Sequence, residues 1–273
     1  MSEDASILVL GMDELASSVA RKLHLAGHAV AIHQPSPPQT IRRRMAFVDA
    51  WFDGACAFEG VEARRADKTR DFLASLKSGV AIPILWRSFE DVATRWPWDI
   101  IVDARADASL PAEQLTRFAD FTIGLGRRYV AGANCDVLID IGARDPGGVI
   151  RQGSLDARGE AVDRRFSDGR VLHAPNHGMF HSERRIGEGV RIGEVLGSVG
   201  ATPIIAPGSG RLRGLAREGA AVAKGAEVCE VVASPGVEFA GVTRRDRLIA
   251  RSVAFVVEME RSGFAPISLE SYF

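Results

Sequence analysis

The sequence predicts an α/β protein in two parts: a parallel sheet wrapped by helices, then a small all-β unit. Three observations carry this. Strand and helix periodicities alternate through the first half, helical spacing stops near residue 135, and the second half contains an internal repeat. A chain of 273 residues has room for two domains. The expected division is 1–134 for the α/β domain and 135–273 for a β-rich domain with a C-terminal helix.

The first elements follow from their residues. Ile7–Leu10 is a short apolar run ended by Gly11, as a buried parallel strand should be. Leu15, Val19 and Leu23 then mark a helical stripe between Asp13 and Ala26. Acids open this helix and Gly27 stops it. Ala29–Ile32, Ala81–Trp86, Ile100–Asp103 and Phe121–Leu125 read as further strands. Ile41–Trp51, Lys68–Lys77, Phe89–Thr94 and Ala112–Phe118 read as helices. Repeated β-α units with short connections imply a Rossmann-like parallel sheet covered on both faces.

In the second half, Val137–Ile141, Gly148–Gln152 and Val171–Leu172 read as short strands. Ala174-Pro175-Asn176-His177-Gly178 recurs as Ala206-Pro207-Gly208-Ser209-Gly210. In the same register Gly187 matches Gly219, Val190 matches Val222 and Gly193 matches Gly225. A duplicated unit spanning 171–232 follows, resembling the two halves of a biotinyl/lipoyl-type barrel-sandwich domain. Such carriers present a lysine on the turn between halves. Gly200-Ala201-Thr202-Pro203 offers none, so a carrier role by that route is excluded. Arg247–Glu260 has helical spacing and should pack back on the body.

Composition narrows the function classes. Hydrophobic residues make up 46% and charged residues 25%, so the chain can bury a core and is not disordered overall. With 34 basic and 35 acidic side chains it has no global attraction for nucleic acid or an anionic membrane. No apolar run reaches membrane-span length, and the acidic start does not resemble a signal peptide. Three scattered cysteines argue against a disulfide framework and suit a cytoplasmic protein.

The candidate site residues lie at strand ends. Gly11 to Ala16 fits the first and last positions of a G-x-G-x-x-[GA] loop, but Asp13 replaces the middle glycine and repels a diphosphate. The second strand ends in His33-Gln34 rather than in a ribose-binding acid. Thr40 is a plausible N-cap that places Arg42, Arg43 and Arg44 in a first helical turn. A bound anion would offset that unfavourable placement, although solvated arginines are also tolerated there. Gly124, Gly126, Arg127 and Arg128 repeat the theme of a strand end, a glycine turn and arginines. The two arginine clusters either converge on one anionic ligand or remain separate solvated patches. Asp103 either orders such a cluster, acts as a base, or caps a turn. His173, His177 and His181 are spaced by four, but Pro175 and Gly178 break a helix there. They read as turn or surface histidines, and no metal site is expected. No nucleophile elbow, H-E-x-x-H or Walker loop occurs, and the residues name no cofactor.

Several segments in order resemble the accessory-protein family of the selenium-dependent molybdenum hydroxylase system. They are Gly11 with Leu15-Ala16, Leu23–Gly27, Pro38–Phe47, Glu59-Gly60-Val61, Ile101–Ala104, Ile123–Gly126 with Ala131-Gly132, Gly148–Ile150 and the duplicated module. The resemblance implies a maturation protein for a molybdenum-cofactor oxidoreductase. Its partner would be a molybdenum hydroxylase or another accessory protein, an oligomer is possible, and an anionic pterin phosphate would suit the arginines. Departures at Asp13, Gln34, Arg144-Asp145-Pro146 and Ser252-Val253-Ala254 suggest a diverged member. Two alternatives stand beside it: an NAD(P)-dependent enzyme with Arg42–Arg44 reading a 2′-phosphate, or a non-catalytic scaffold subunit.

Overall fold

The computed structural model describes residues 5–105, 111–155, 169–234 and 236–263; the acidic start, residues 1–4, lies outside these. Nine strands form the larger sheet: β1 (Ser6–Leu10), β2 (Ala29–His33), β3 (Ala55–Phe58), β4 (Val61–Arg65), β5 (Ala81–Leu85), β6 (Trp98–Asp103), β7 (Ala119–Leu125), β8 (Val137–Ile139) and β9 (Val149–Ile150). Their spatial order is β3-β4-β5-β2-β1-β6-β7-β8-β9. The seven inner strands run parallel, and the edge strands β3 and β9 pair antiparallel to them. The order reverses between β1 and β6, so their carboxyl ends open a crevice there. The protein is therefore α/β, with a large mixed sheet.

Among the described residues five helices complete the body: α1 (Glu14–Leu25), α2 (Asp49–Asp53), α3 (Thr69–Ser78), α4 (Phe89–Arg95) and α5 (Arg244–Arg261). The side chains of β1 alternate between two cores. Ile7 and Val9 face α1 and α5 (Val19, Leu23, Val253, Val257), while Leu8 and Leu10 face α3 and α4 (Phe72, Val92). All four strand residues are completely buried, and each such side chain stabilises the fold by roughly 1.5–3 kcal/mol. Asp13 caps α1 by accepting the Ala16 amide at 2.9 Å, one position before the first turn in which the sequence reading sets it.

The sheet runs on past the boundary expected at residue 134. β8 and β9 extend it, and α5 packs on α1 within the same core. Two expected helices are not formed. In place of Ile41–Trp51 stand a 3-10 turn at Arg43–Met45 and the short α2, and Thr40 caps nothing; Arg42 precedes the turn without a side-chain cap. The reason is that Ile41 belongs to another core. Its carbonyl accepts the Leu215 amide at 2.8 Å and its side chain is buried among the second unit's residues, which holds the strap extended. Ala112–Phe118 likewise forms only a 3-10 turn at Leu115–Arg117.

The second unit has two four-stranded antiparallel sheets. One is ordered β10-β17-β15-β12: β10 (Gly169–His173), β17 (Glu227–Val232), β15 (Gly210–Leu215) and β12 (Gly189–Val190). The other is β14-β13-β11-β16: β14 (Thr202–Ile205), β13 (Val195–Val199), β11 (Gly178–His181) and β16 (Ala221–Val222). The sequence repeat carries β11 onto β15, β12 onto β16 and β13 onto β17. The same operation exchanges the two sheets. β12 pairs with β15 and β11 with β16, so each half completes its ladders on the other. Neither half can bury its apolar face alone. The matching glycines Gly187, Gly193, Gly219 and Gly225 all have positive φ, which explains why the repeat kept them. Among the described residues no helix is long and apolar enough to cross a membrane.

Candidate functional site

Two buried carboxylates organise the residues that the sequence singled out. Asp103, at the carboxyl end of β6, is wholly inaccessible to solvent. It accepts Arg105 Nε at 3.0 and 3.1 Å, Arg128 Nη2 at 3.3 Å and the Tyr129 hydroxyl. Burial alone would raise its pKa, but the bonds from Arg105 and Tyr129 outweigh that and hold it below the ordinary carboxylate value. Burial, reinforced by Asp103, pushes the Tyr129 phenol far up, so it stays a donor. Arg128 also donates to the Arg105 carbonyl at 2.8 Å.

This cluster accounts for two glycines, Gly124 and Gly11, and Gly126 stands beside it. A Cβ on Gly124 would lie 2.2 Å from Tyr129 Cγ, so Gly124 seats the ring. Gly126 turns the chain with φ +81° and lies against Ile141. Gly11 has φ +104°, and Arg105 Cγ would come within 3.1 Å of a Cβ there. Arg105 thus covers the place where a pyrophosphate would approach a dinucleotide loop. His33, at the end of β2, is buried and bonds through Nε2 to the Arg87 carbonyl at 2.8 Å; burial lowers its pKa.

The second carboxylate, Glu230 on β17, is 1% exposed and joins the two units. Arg42 grips it with Nε at 2.7 Å and Nη2 at 2.9 Å, and Arg213 bonds it from β15. Burial disfavours the charge on Glu230, yet Arg213 and Arg42 hold its pKa below the usual value. Arg42 reaches a third acid, Glu14 in the first turn of α1, at 3.5 Å. Glu14 is the unusual member. Burial, with repulsion from Asp13, raises its pKa to about 7 against the pull of Arg42.

The expected arginine sets therefore stand in separate clusters. Arg42 belongs to the Glu230 cluster and Arg128 to the Asp103 cluster. Arg43 is held by Asp49 at 2.8 Å and by the Leu215 carbonyl at 3.0 Å. Arg127 is exposed and lines a cavity of about 520 Å³ at the ends of β7 and β8, with Asp140 and Arg144. His173, His177 and His181 are exposed, and no group of three potential metal ligands occurs among the described residues. Glu14, Glu230, Arg213, Arg105 and Tyr129 were not anticipated. The available signal was a lone acid inside the apolar run of β17, since a buried charge needs a partner.

Comparison with known proteins does not identify a family: no family model matches the chain. A curated relative, the uncharacterized protein YqeB of Escherichia coli strain K12, is 28% identical over 254 residues. These are 90% of this chain but 46% of the relative, so the chain spans about half of that protein. Among solved structures, a succinylglutamate desuccinylase/aspartoacylase family protein of Shewanella amazonensis matches at TM-score 0.24 and 12% identity. It covers 85% of this chain and 91% of its own. A Rhodobacter sphaeroides member matches at TM-score 0.25 and 15% identity, covering 86% and 87%. At such scores no shared chemistry is transferred. The findings do correct the expectation drawn from resemblance. Both of these solved structures carry the desuccinylase/aspartoacylase description, no family model supports a molybdenum hydroxylase accessory protein, and the maturation role drawn from resemblance is withdrawn. The nicotinamide enzyme and the scaffold subunit find no support in them either.

Proposed function

We propose that the chain binds a small anion, a carboxylate or phosphate group, between the first turn of α1 and Arg42, with uptake of a proton by Glu14. One observation supports this reading above the others: the Glu14 carboxyl, with a pKa near 7, is the most weakly committed of the acids around Arg42. It acts as a resident counter-ion. An incoming anion takes its place on Arg42, and Glu14 accepts a proton rather than remain charged and unpaired. The helix dipole of α1 favours negative charge at the same spot. Arg43, Asp103, Gly124, Gly126, Arg127 and Arg128 serve in this reading as the frame around the crevice.

The finer architecture is part of the proposal. The large sheet is Rossmann-like, and the eight-stranded unit is a barrel-sandwich of the biotinyl/lipoyl type without its lysine. Its task here is to present Glu230 and Arg213 to Arg42. A cytoplasmic setting suits the three free cysteines.

Titration calorimetry with sulfate, which does not itself titrate near neutrality, tests the proposal. Run at pH 7 in two buffers of different ionisation enthalpy, it should show binding with fractional proton uptake. Arg42→Ala should abolish binding. Glu14→Gln should bind more tightly and take up no proton. Equal affinity in wild type and Arg42→Ala would end the reading.

A further inference from the structure

A second cavity, of about 580 Å³, lies between α3, α4 and β5, on the sheet face opposite α1. Of the chain's four tryptophans, Trp86, Trp96 and Trp98 line it. Trp96 and Phe72 meet edge to face at 5.3 Å, which fixes the ring at the back of the cavity. Trp98 donates its indole N–H to the Val92 carbonyl at 3.1 Å. The Trp96 N–H is buried and has no acceptor among the described residues. Leaving a buried donor unmade is costly, so such a group implies an acceptor that the polypeptide does not supply. Trp86 is 41% exposed at the mouth, a large aromatic surface left in water.

The charges of the wall are unbalanced. Asp67 is matched by Arg65 at 2.9 Å and Asp91 by Arg95 at 3.1 Å. Lys68 and Arg87 also line the cavity, and neither has an ion-pair partner among the described residues. Lys68 precedes α3 without a side-chain cap, so the positive end of that helix adds to the same surplus. Aromatic faces, an unsatisfied donor and two uncommitted cations specify one kind of molecule.

We infer that this cavity binds a planar aromatic anion, its ring stacked on Trp86 and Trp96 and its charged group held by Lys68 and Arg87. The site is independent of the anion site at Arg42.

Calorimetric titration of the whole chain with naphthalene-1-sulfonate, 1-naphthol and sulfate tests it. The sulfonate should bind saturably in the submillimolar range, with the neutral ring and the bare anion each at least tenfold weaker. The double variant Lys68→Ala/Arg87→Ala, and separately Trp86→Ala, should weaken the sulfonate tenfold or more; all three side chains are exposed, so the fold survives. Naphthol binding as tightly as the sulfonate, or sulfonate affinity unmoved in the double variant, would overturn the inference.

Discussion

The two buried carboxylates solve one problem in different ways. Asp103 draws its partners from nearby in the chain: Arg105 is 2 residues away, Arg128 25 and Tyr129 26. Glu230 takes Arg213 from 17 residues away but Arg42 from 188. The Asp103 cluster is thus closed within neighbouring loops at the carboxyl ends of the strands, and Asp103, Arg105 and Tyr129 keep fixed protonation states near neutrality. The Glu230 cluster ties two units together and touches a group, Glu14, that changes charge near pH 7. A buried ion cluster adds little net stability over an apolar core, but losing one member leaves a buried charge unpaired. The difference between the clusters lies in what each loss would break.

The sharpest break of the comparison is Asp103→Ala, which strands two guanidiniums that are 21% and 7% exposed. It should destabilise the protein by about 3–5 kcal/mol in urea denaturation. Phenol and arginine contacts would be lost together, so the sheet unit should unfold earlier as a whole. A loss below about 1 kcal/mol would show that the cluster is dispensable.

Glu230→Gln should cost less, about 2 kcal/mol, because Arg42 is partly exposed and can be rehydrated. Its signature should be a split rather than a shift. Tryptophan fluorescence reports only the sheet unit, where all four tryptophans lie, whereas far-ultraviolet dichroism reports both. The two probes should coincide for wild type and separate for Glu230→Gln. Coincident transitions in the variant would mean that the Ile41 strap alone couples the units.

Much of the fold was legible because single residues had single tasks. In β1 and α1 each apolar side chain serves one core, so the period of 2 or 3.6 appears directly in the sequence. The strap from Ile41 to Trp51 was misleading because its apolar residues serve two cores: Ile41 in the β unit, Phe47 and Ala50 under the sheet. Their spacing mimics a helix. The hairpin of β3 and β4 went unseen because its two-residue turn uses Glu59 at φ 48° beside Gly60 at φ 80°, and glutamate rarely adopts that conformation. The site was half legible. Arg42 and Asp103 were picked out as charged residues at strand ends and loops, but the acid that holds Arg42 lies 188 residues away. Gly124 looked like a ligand loop, whereas the space it leaves is taken by Tyr129.

The subtlest consequence of the comparison concerns pH. A carboxyl whose pKa rises from 4.5 unfolded to about 7 folded binds its proton more tightly in the folded state. Between those values the folded protein therefore holds more protons than the unfolded chain, and stability falls as pH rises. Asp103 and Glu230, with lowered pKa values, act in the opposite sense and only at acidic pH, where protonation would cost them their arginines. Between pH 6 and 8 Glu14 does not titrate alone: burial holds His24 and His33 below the ordinary imidazole value, so their deprotonation in the unfolded chain makes stability rise with pH there. Glu14 is therefore read from the difference between wild type and Glu14→Gln in urea denaturation, which should carry a loss of about 1 kcal/mol from pH 6 to 8. Glu14→Gln should leave the acid limb due to Asp103 and Glu230 in place. Identical pH profiles of the two proteins from pH 6 to 8 would mean that Glu14 is already charged and firmly paired. The Glu230 cluster would then be as fixed as the Asp103 cluster, and no counter-ion would be available for exchange.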